Sequence, residues 1–170
     1  MKIYIACDAE GISGVYRRPD EIAEIRTMMT RDANAAVAGA RAAGASEIVV
    51  WDLHNAGKTL LYEELEEGAE YVQGGPHVES LPGLDSSFAG VLLIGYHAMA
   101  GTARAVCDHT ISSATWQHIW INGMMLGEVG LDALWAGRLG VPVLLVTGDD
   151  KVCAEARALL GDIETAQVKV

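Results

Sequence analysis

The residues best suited to chemistry lie directly after apolar segments of the chain. Asp8 and Glu10 follow KIYIAC, and His54 follows EIVVWDL. His97 follows GVLLIGY, and Glu128 opens a helical pattern after a short glycine-containing segment. Carboxylate oxygens and neutral imidazole nitrogens together suit zinc, cobalt or manganese. The set therefore indicates a site for divalent metal ions.

Asp8 and Glu10 stand two positions apart, which puts both side chains on one face of a regular strand. Two carboxylates this close repel each other unless a cation or a proton lies between them. One carboxylate can also bridge two metal ions, so an acidic residue favours the centre of a two-metal site. The alternative is that Asp8 caps the following turn while Glu10 is solvated.

The histidines and Glu128 also have alternative interpretations. Asp52 is a candidate to orient His54, which could instead be an edge histidine bonded to a loop. His97 and His109 flank a loop of small residues, which suggests one metal ligand and one catalytic group. Glu128 could simply interact with the positive end of the helix that it opens.

The elements that must position these residues alternate between strand and helix patterns. Apolar strands start near residues 2, 47, 90 and 142, and helical periodicity runs from Pro19 to Gly44 and from Glu128 to Gly140. A short helix is expected around LLYEELE, and Asn122-Gly123 predicts a β-hairpin near 115–125.

Repeated βα units predict a single α/β domain over 1–170, with a mostly parallel sheet and helices on both faces. This doubly wound, Rossmann-like arrangement brings the carboxyl ends of its strands to one edge, where ligands bind. Asp8, His54 and His97 are therefore expected to converge, although they are far apart in the sequence.

The composition excludes several classes of function. A formal net charge of −11 disfavours nucleic acid as a partner. The apolar runs are too short to cross a membrane, and the N-terminus is typical of a strand rather than a signal peptide. Three cysteines without CxxC spacing argue against a disulfide framework and favour a reducing cytoplasm. GxGxxG, Walker A and GxSxG motifs are absent.

The order of the motifs resembles that of the DppA-type zinc-dependent D-aminopeptidases. The matching segments span nearly the whole chain: CDAEGISGV at 7–15, VWDLHN at 50–55, LPGLDSSFAG at 81–90, LLIGYHAMAG at 92–101, DHTISS at 108–113, INGMMLGEVGLDALWAG at 121–137 and GVPVLLVTGDD at 140–150. The resemblance implies a binuclear zinc aminopeptidase that hydrolyses short peptides with an N-terminal D-amino acid such as D-Ala.

The resemblance also implies the site residues. Two zinc ions per chain are expected on Asp8, Glu10, His54, His97 and Glu128, with Asp8 bridging them. His109 is expected to be the active-site residue, either as the nucleophile or as a general acid or base beside a metal-activated water.

Two further expectations come from the family. Its members form large rings, so a homo-oligomer is expected, and they usually continue into a C-terminal region that this sequence lacks. The alternatives to a D-aminopeptidase are a noncatalytic module, in which metals stabilise an oligomer or a bound peptide, and a metal-dependent hydrolase of another amide.

Overall fold

The computed structural model describes residues 1–170, which form eight strands and three helices. The strands are β1 (Lys2–Cys7), β2 (Glu47–Asp52), β3 (Glu70–Val72), β4 (Gly90–Tyr96), β5 (Ile119–Ile121), β6 (Met124–Leu126), β7 (Val143–Asp149) and β8 (Glu164–Lys169). The helices are α1 (Ile25–Ala42), α2 (Glu128–Arg138) and α3 (Asp150–Leu160). None of the helices is both long and apolar enough to cross a membrane.

Six strands form one sheet in the order β3-β2-β1-β4-β7-β8, and every neighbouring pair is parallel. The chain moves outward from β1 through β2 to β3, then returns to the other side of β1 with β4. The strand order therefore reverses between β1 and β4, which is where a doubly wound sheet opens its ligand crevice. The predicted fold class is confirmed.

Alternating side chains of the central strands supply a core on each face of the sheet. Ile5 packs on the side of α1, with Met29 and Val37. Tyr4, the preceding residue, faces the opposite core, which includes Val152 of α3. Because strands buried on both faces must be apolar throughout, KIYIAC and GVLLIGY lack the alternation seen in half-exposed strands.

The small antiparallel pair of β5 and β6 is the predicted hairpin. Its two loop residues, Asn122 and Gly123, both have positive φ angles, of 52° and 79°. This backbone suits the twist of two-residue hairpins, and asparagine followed by glycine adopts it readily. The hairpin leads directly into α2, so it fixes the position of Glu128 at the helix start.

Two helix predictions need correction. Pro19 starts only a 3-10 turn (Pro19–Glu21), and α1 begins at Ile25, because Ile22 adopts an extended conformation that buries its side chain in the core on the α1 side. The short helix expected around LLYEELE is present only as a 3-10 turn (Tyr62–Glu64). Its flanking leucines, Leu61 and Leu65, are extended, which stops the turn from propagating.

Candidate metal centre

The six candidate site residues lie together in a crevice at the carboxyl ends of the central strands. Asp8 and Glu10 follow β1, His54 lies just beyond β2, and His97 comes directly after β4. Glu128 is the first residue of α2. His109, on the long loop that joins β4 to the hairpin, completes the group. The convergence expected from the parallel sheet is thus present.

The loop after β1 is held tightly against the end of β4. The N–H of Asp8 donates to the Ile94 carbonyl at 2.8 Å, and the N–H of Gly11 donates to the Gly95 carbonyl at 2.7 Å. A Cβ atom on Gly11 would lie 1.8 Å from the carbonyl oxygen of Tyr96, so only glycine allows this approach. The close contact fixes the backbone that carries the first two carboxylates.

Asp8 lies between two histidines and presents a different oxygen to each. Its Oδ1 is 3.3 Å from Nδ1 of His54, which is also 3.1 Å from Oε2 of Glu10. Its Oδ2 is 3.5 Å from Nε2 of His97, which is also 3.2 Å from Oε1 of Glu128. The site therefore has two halves that share Asp8.

The donor set fits divalent metal ions. Nε2 of His97 is buried and makes no hydrogen bond, although two carboxylates face it. One ligand atom from each of Asp8, Glu10 and His97 lies within 4.8 Å of the others, and the same holds for His97, His109 and Glu128. A cation between these atoms would satisfy the orphaned nitrogen and neutralise the carboxylates.

The charged groups of the site shift one another's pKa values. Burial and the nearby Glu10 carboxylate raise the pKa of Asp8 to about 7. Burial alone would lower the pKa of His54 and His97, but the carboxylates that face them raise both to about 10. Burial opposes ionisation of Glu128, yet the contact with His97 lowers its pKa. Without metal, the two imidazolium ions supply the positive charge that the carboxylates require.

His109 lies against the second half of the site. Its Nδ1–H donates to the Cys107 carbonyl at 2.9 Å, which leaves Nε2 facing Glu128 at 3.7 Å. Its ring stacks on His97, with centroids 3.9 Å apart and planes 10° from parallel. His97 likewise donates from Nδ1 to a backbone carbonyl, that of Ala98, at 3.1 Å. In their neutral forms both rings therefore direct an Nε2 lone pair into the crevice.

The suggested partnership of Asp52 with His54 is wrong. Oδ2 of Asp52 accepts hydrogen bonds from the backbone N–H groups of Thr59 and Leu60 and from the Gln73 amide. Asp52 is fully buried, and its side chain organises the loop that carries His54 without contacting the imidazole. Asp52 and His54 would share a face only if the strand stayed regular, and the chain instead bends directly after β2.

Two residues that contact the site were missed. Lys169, at the end of β8, donates from Nζ to the carbonyls of Glu10 and Ile12 at 2.6 and 3.0 Å. The N–H of Ile111 donates to Oε1 of Glu128 at 2.8 Å. Neither contact has a signal in the sequence, since one joins residues 159 positions apart and the other uses only a backbone group.

The crevice opens into a cavity of about 670 Å³. Five carboxylates line it, together with His54 and His109, and Arg18 at its mouth is the only permanent cation. The side chain of Arg18 pairs with Asp20 at 3.2 Å, and both are exposed. A cavity of this size and polarity suits a short peptide better than a folded protein chain.

Known proteins match this chain over nearly its whole length. A family model described as D-aminopeptidase matches residues 1–170. A D-aminopeptidase of Bacillus subtilis (strain 168) is 38% identical over 179 residues, which cover 99% of this chain and 64% of the relative. The solved structure of the Zn-dependent D-aminopeptidase DppA from Bacillus subtilis, described as a self-compartmentalizing protease, matches with a TM-score of 0.93 at 36% identity. That match covers all of this chain and 64% of DppA, so this chain spans less than two thirds of either relative.

Proposed function

The chain belongs to the D-aminopeptidase family, and on that premise we propose that it is a zinc-dependent aminopeptidase for short peptides with an N-terminal D-amino acid. The observation that carries the proposal is the position of Asp8, whose two carboxylate oxygens face His54 and His97 separately. This arrangement suits a bridging ligand between two metal ions.

The proposed ligands divide between the two halves of the site. Glu10 and His54 would hold one zinc ion on the Oδ1 side of Asp8, and His97 and Glu128 would hold the other on the Oδ2 side. The contacts within each half, at 3.1 and 3.2 Å, support this division. Two zinc ions bound there would polarise the scissile carbonyl and lower the pKa of the attacking water.

His109 is the proposed catalytic residue. Because its Nδ1–H is bound to the Cys107 carbonyl, the neutral ring can accept a proton only at Nε2, which faces the crevice. A proton held at Nε2 can then be given to the amine that leaves. The same nitrogen could attack the carbonyl directly, and the stacked ring of His97 keeps the imidazole in place for either role.

The test of this function is hydrolysis of D-Ala-D-Ala and L-Ala-L-Ala by the zinc-loaded protein. We expect cleavage of the D,D peptide only, and a loss of about a hundredfold or more in kcat for His109→Ala. His77→Ala is the matched control, because His77 is exposed and bonds only to the Gly74 carbonyl. No cleavage of either peptide would contradict the proposed activity, whereas equal cleavage would contradict only its stereochemical part.

We also propose that the protein assembles into a homo-oligomer. The solved relative is described as self-compartmentalizing. In this chain the hairpin segment exposes three large apolar side chains, Trp116, Trp120 and Met124, each by more than half. Large apolar side chains exposed along one short segment are typical of surfaces that contact another chain. A single species of monomer mass in light scattering would contradict this proposal.

A further inference from the structure

Ile111 has a backbone conformation that isoleucine rarely adopts. Its φ angle is +63°, in the left-handed region. A β-branched side chain there is close to the following carbonyl oxygen, so the conformation is strained and must be held by its surroundings. Glycine would adopt it freely, which raises the question of what the isoleucine side chain contributes.

The hydrogen bonds on either side of Ile111 explain how the strain is maintained. The N–H of Ser112 donates to the Thr110 carbonyl at 2.7 Å and closes a three-residue turn centred on Ile111. Thr110 is buried, and its hydroxyl accepts from the N–H of Ala100 at 3.2 Å. The N–H of Ile111 itself donates to Glu128. The turn is therefore held from both sides and anchored to the metal centre.

This turn places Ile111 at the wall of the cavity. The residue is 54% exposed, although it lies beside buried groups, and it lines the same space as His109 and the carboxylates. Charged and polar groups dominate that space, and Ile111 and Leu53 are its only branched aliphatic side chains. A strained residue thus provides an apolar surface in a polar cavity, next to the proposed zinc ligand Glu128.

We infer that Ile111 is a specificity-determining residue that contacts a small aliphatic side chain of the peptide next to the scissile bond. This inference rests on the proposed function and adds a recognition element to it. Since the N–H of Ile111 donates to Glu128, the residue lies beside a proposed zinc ligand, where the reacting amide would bind. Burying a methyl group there favours alanyl over glycyl peptides by about fourfold.

The test compares Ile111→Gly with the wild-type protein on Gly-Gly, Gly-D-Ala, D-Ala-Gly and D-Ala-D-Ala. Relative to the wild type, we expect Ile111→Gly to lose about fourfold in the ratio of kcat/KM between a methyl-bearing peptide and its glycyl counterpart. Its midpoint of thermal unfolding should not fall, because glycine relieves the strained φ angle. Ile111→Asn, which also tolerates this conformation, should lose the same preference.

The matched control is Arg104→Gly. Arg104 has a φ angle of +61° on the same loop and is exposed, but it does not line the cavity. This variant should keep the wild-type preference. An unchanged ratio in both Ile111 variants would overturn the inference. If the zinc-loaded wild type cleaves none of the peptides, the proposed function fails separately, and calorimetric binding of the same peptides then gives the ratio that decides the role of Ile111.

Discussion

Zinc binding to the metal-free protein is predicted to release protons. The carboxylates of the site raise the pKa of His54 and His97 to about 10, so both imidazoles are protonated at pH 7 when no metal is present. A zinc ion requires the neutral ring, and each proton must therefore leave when the metal enters. The number of protons released when zinc is added can therefore be measured directly.

The size of this release follows from the site. Each histidine contributes one proton, and Asp8, with a pKa of about 7, contributes about half of one. Glu10, whose pKa is lowered to about 2, contributes none. The total is about 2.5 protons per chain at pH 7. Deprotonating each histidine three pH units below its pKa costs about 4 kcal/mol. Near pH 8 the apparent affinity for each zinc ion should therefore rise about tenfold per pH unit, which is about a hundredfold for the pair.

Isothermal titration calorimetry in buffers of different ionisation enthalpy measures the release. His54→Ala should release about one proton fewer, whereas His77→Ala, at an exposed residue outside the crevice, should not differ from the wild type. A rise in pH increases the zinc affinity but decreases the stability of the metal-free fold. The raised pKa values stabilise the metal-free fold below about pH 6.5, and this contribution disappears as the pH approaches 10. Release of less than one proton would show that His54 and His97 are not both protonated in the metal-free protein.

Two further predictions concern residues outside the proposed ligand set. Burial raises the pKa of Asp132 from 3.8 to about 6, so its ionised form destabilises the fold by about 3 kcal/mol above pH 6. The difference in unfolding free energy between Asp132→Asn and the wild type should therefore grow by about this much in favour of the variant from pH 4 to pH 8. Urea denaturation at the two pH values measures it. Lys169→Met should weaken zinc binding about tenfold, because it frees the backbone of Glu10. The control Lys151→Met loses only a contact with Asp150 and should bind zinc as the wild type does. Equal zinc affinities of the two variants in the titration would contradict this prediction.

Much of the fold could be predicted because its signals are local. Continuous apolar runs such as GVLLIGY predict buried parallel strands, and glycines after helical patterns predict where the helices end. Asn122-Gly123 predicts the hairpin for the same reason, since its backbone preference lies in two adjacent residues. The start of α1 was predicted six residues too early because Pro19 begins a turn as readily as a helix.

The grouping of the site residues could be predicted from topology, because parallel strands share one edge for their carboxyl ends. The contacts around the site residues could not be predicted in this way. The clamp of Lys169 on the loop after β1 depends on the reach of one side chain from the edge strand β8. The strained turn at Ile111 depends on a backbone contact with Glu128. Such contacts are set by three-dimensional packing and have no period or spacing in the sequence.

The proposed function requires that the two halves around Asp8 each hold one zinc ion. The zinc content per chain, determined by mass spectrometry on protein purified without chelator or affinity-column metal, shows whether they do. Two zinc ions per chain are predicted, because each half of the site provides its own histidine and its own carboxylate beside the shared Asp8. Protein that contains no zinc and takes up none on titration would contradict the proposed two-metal site.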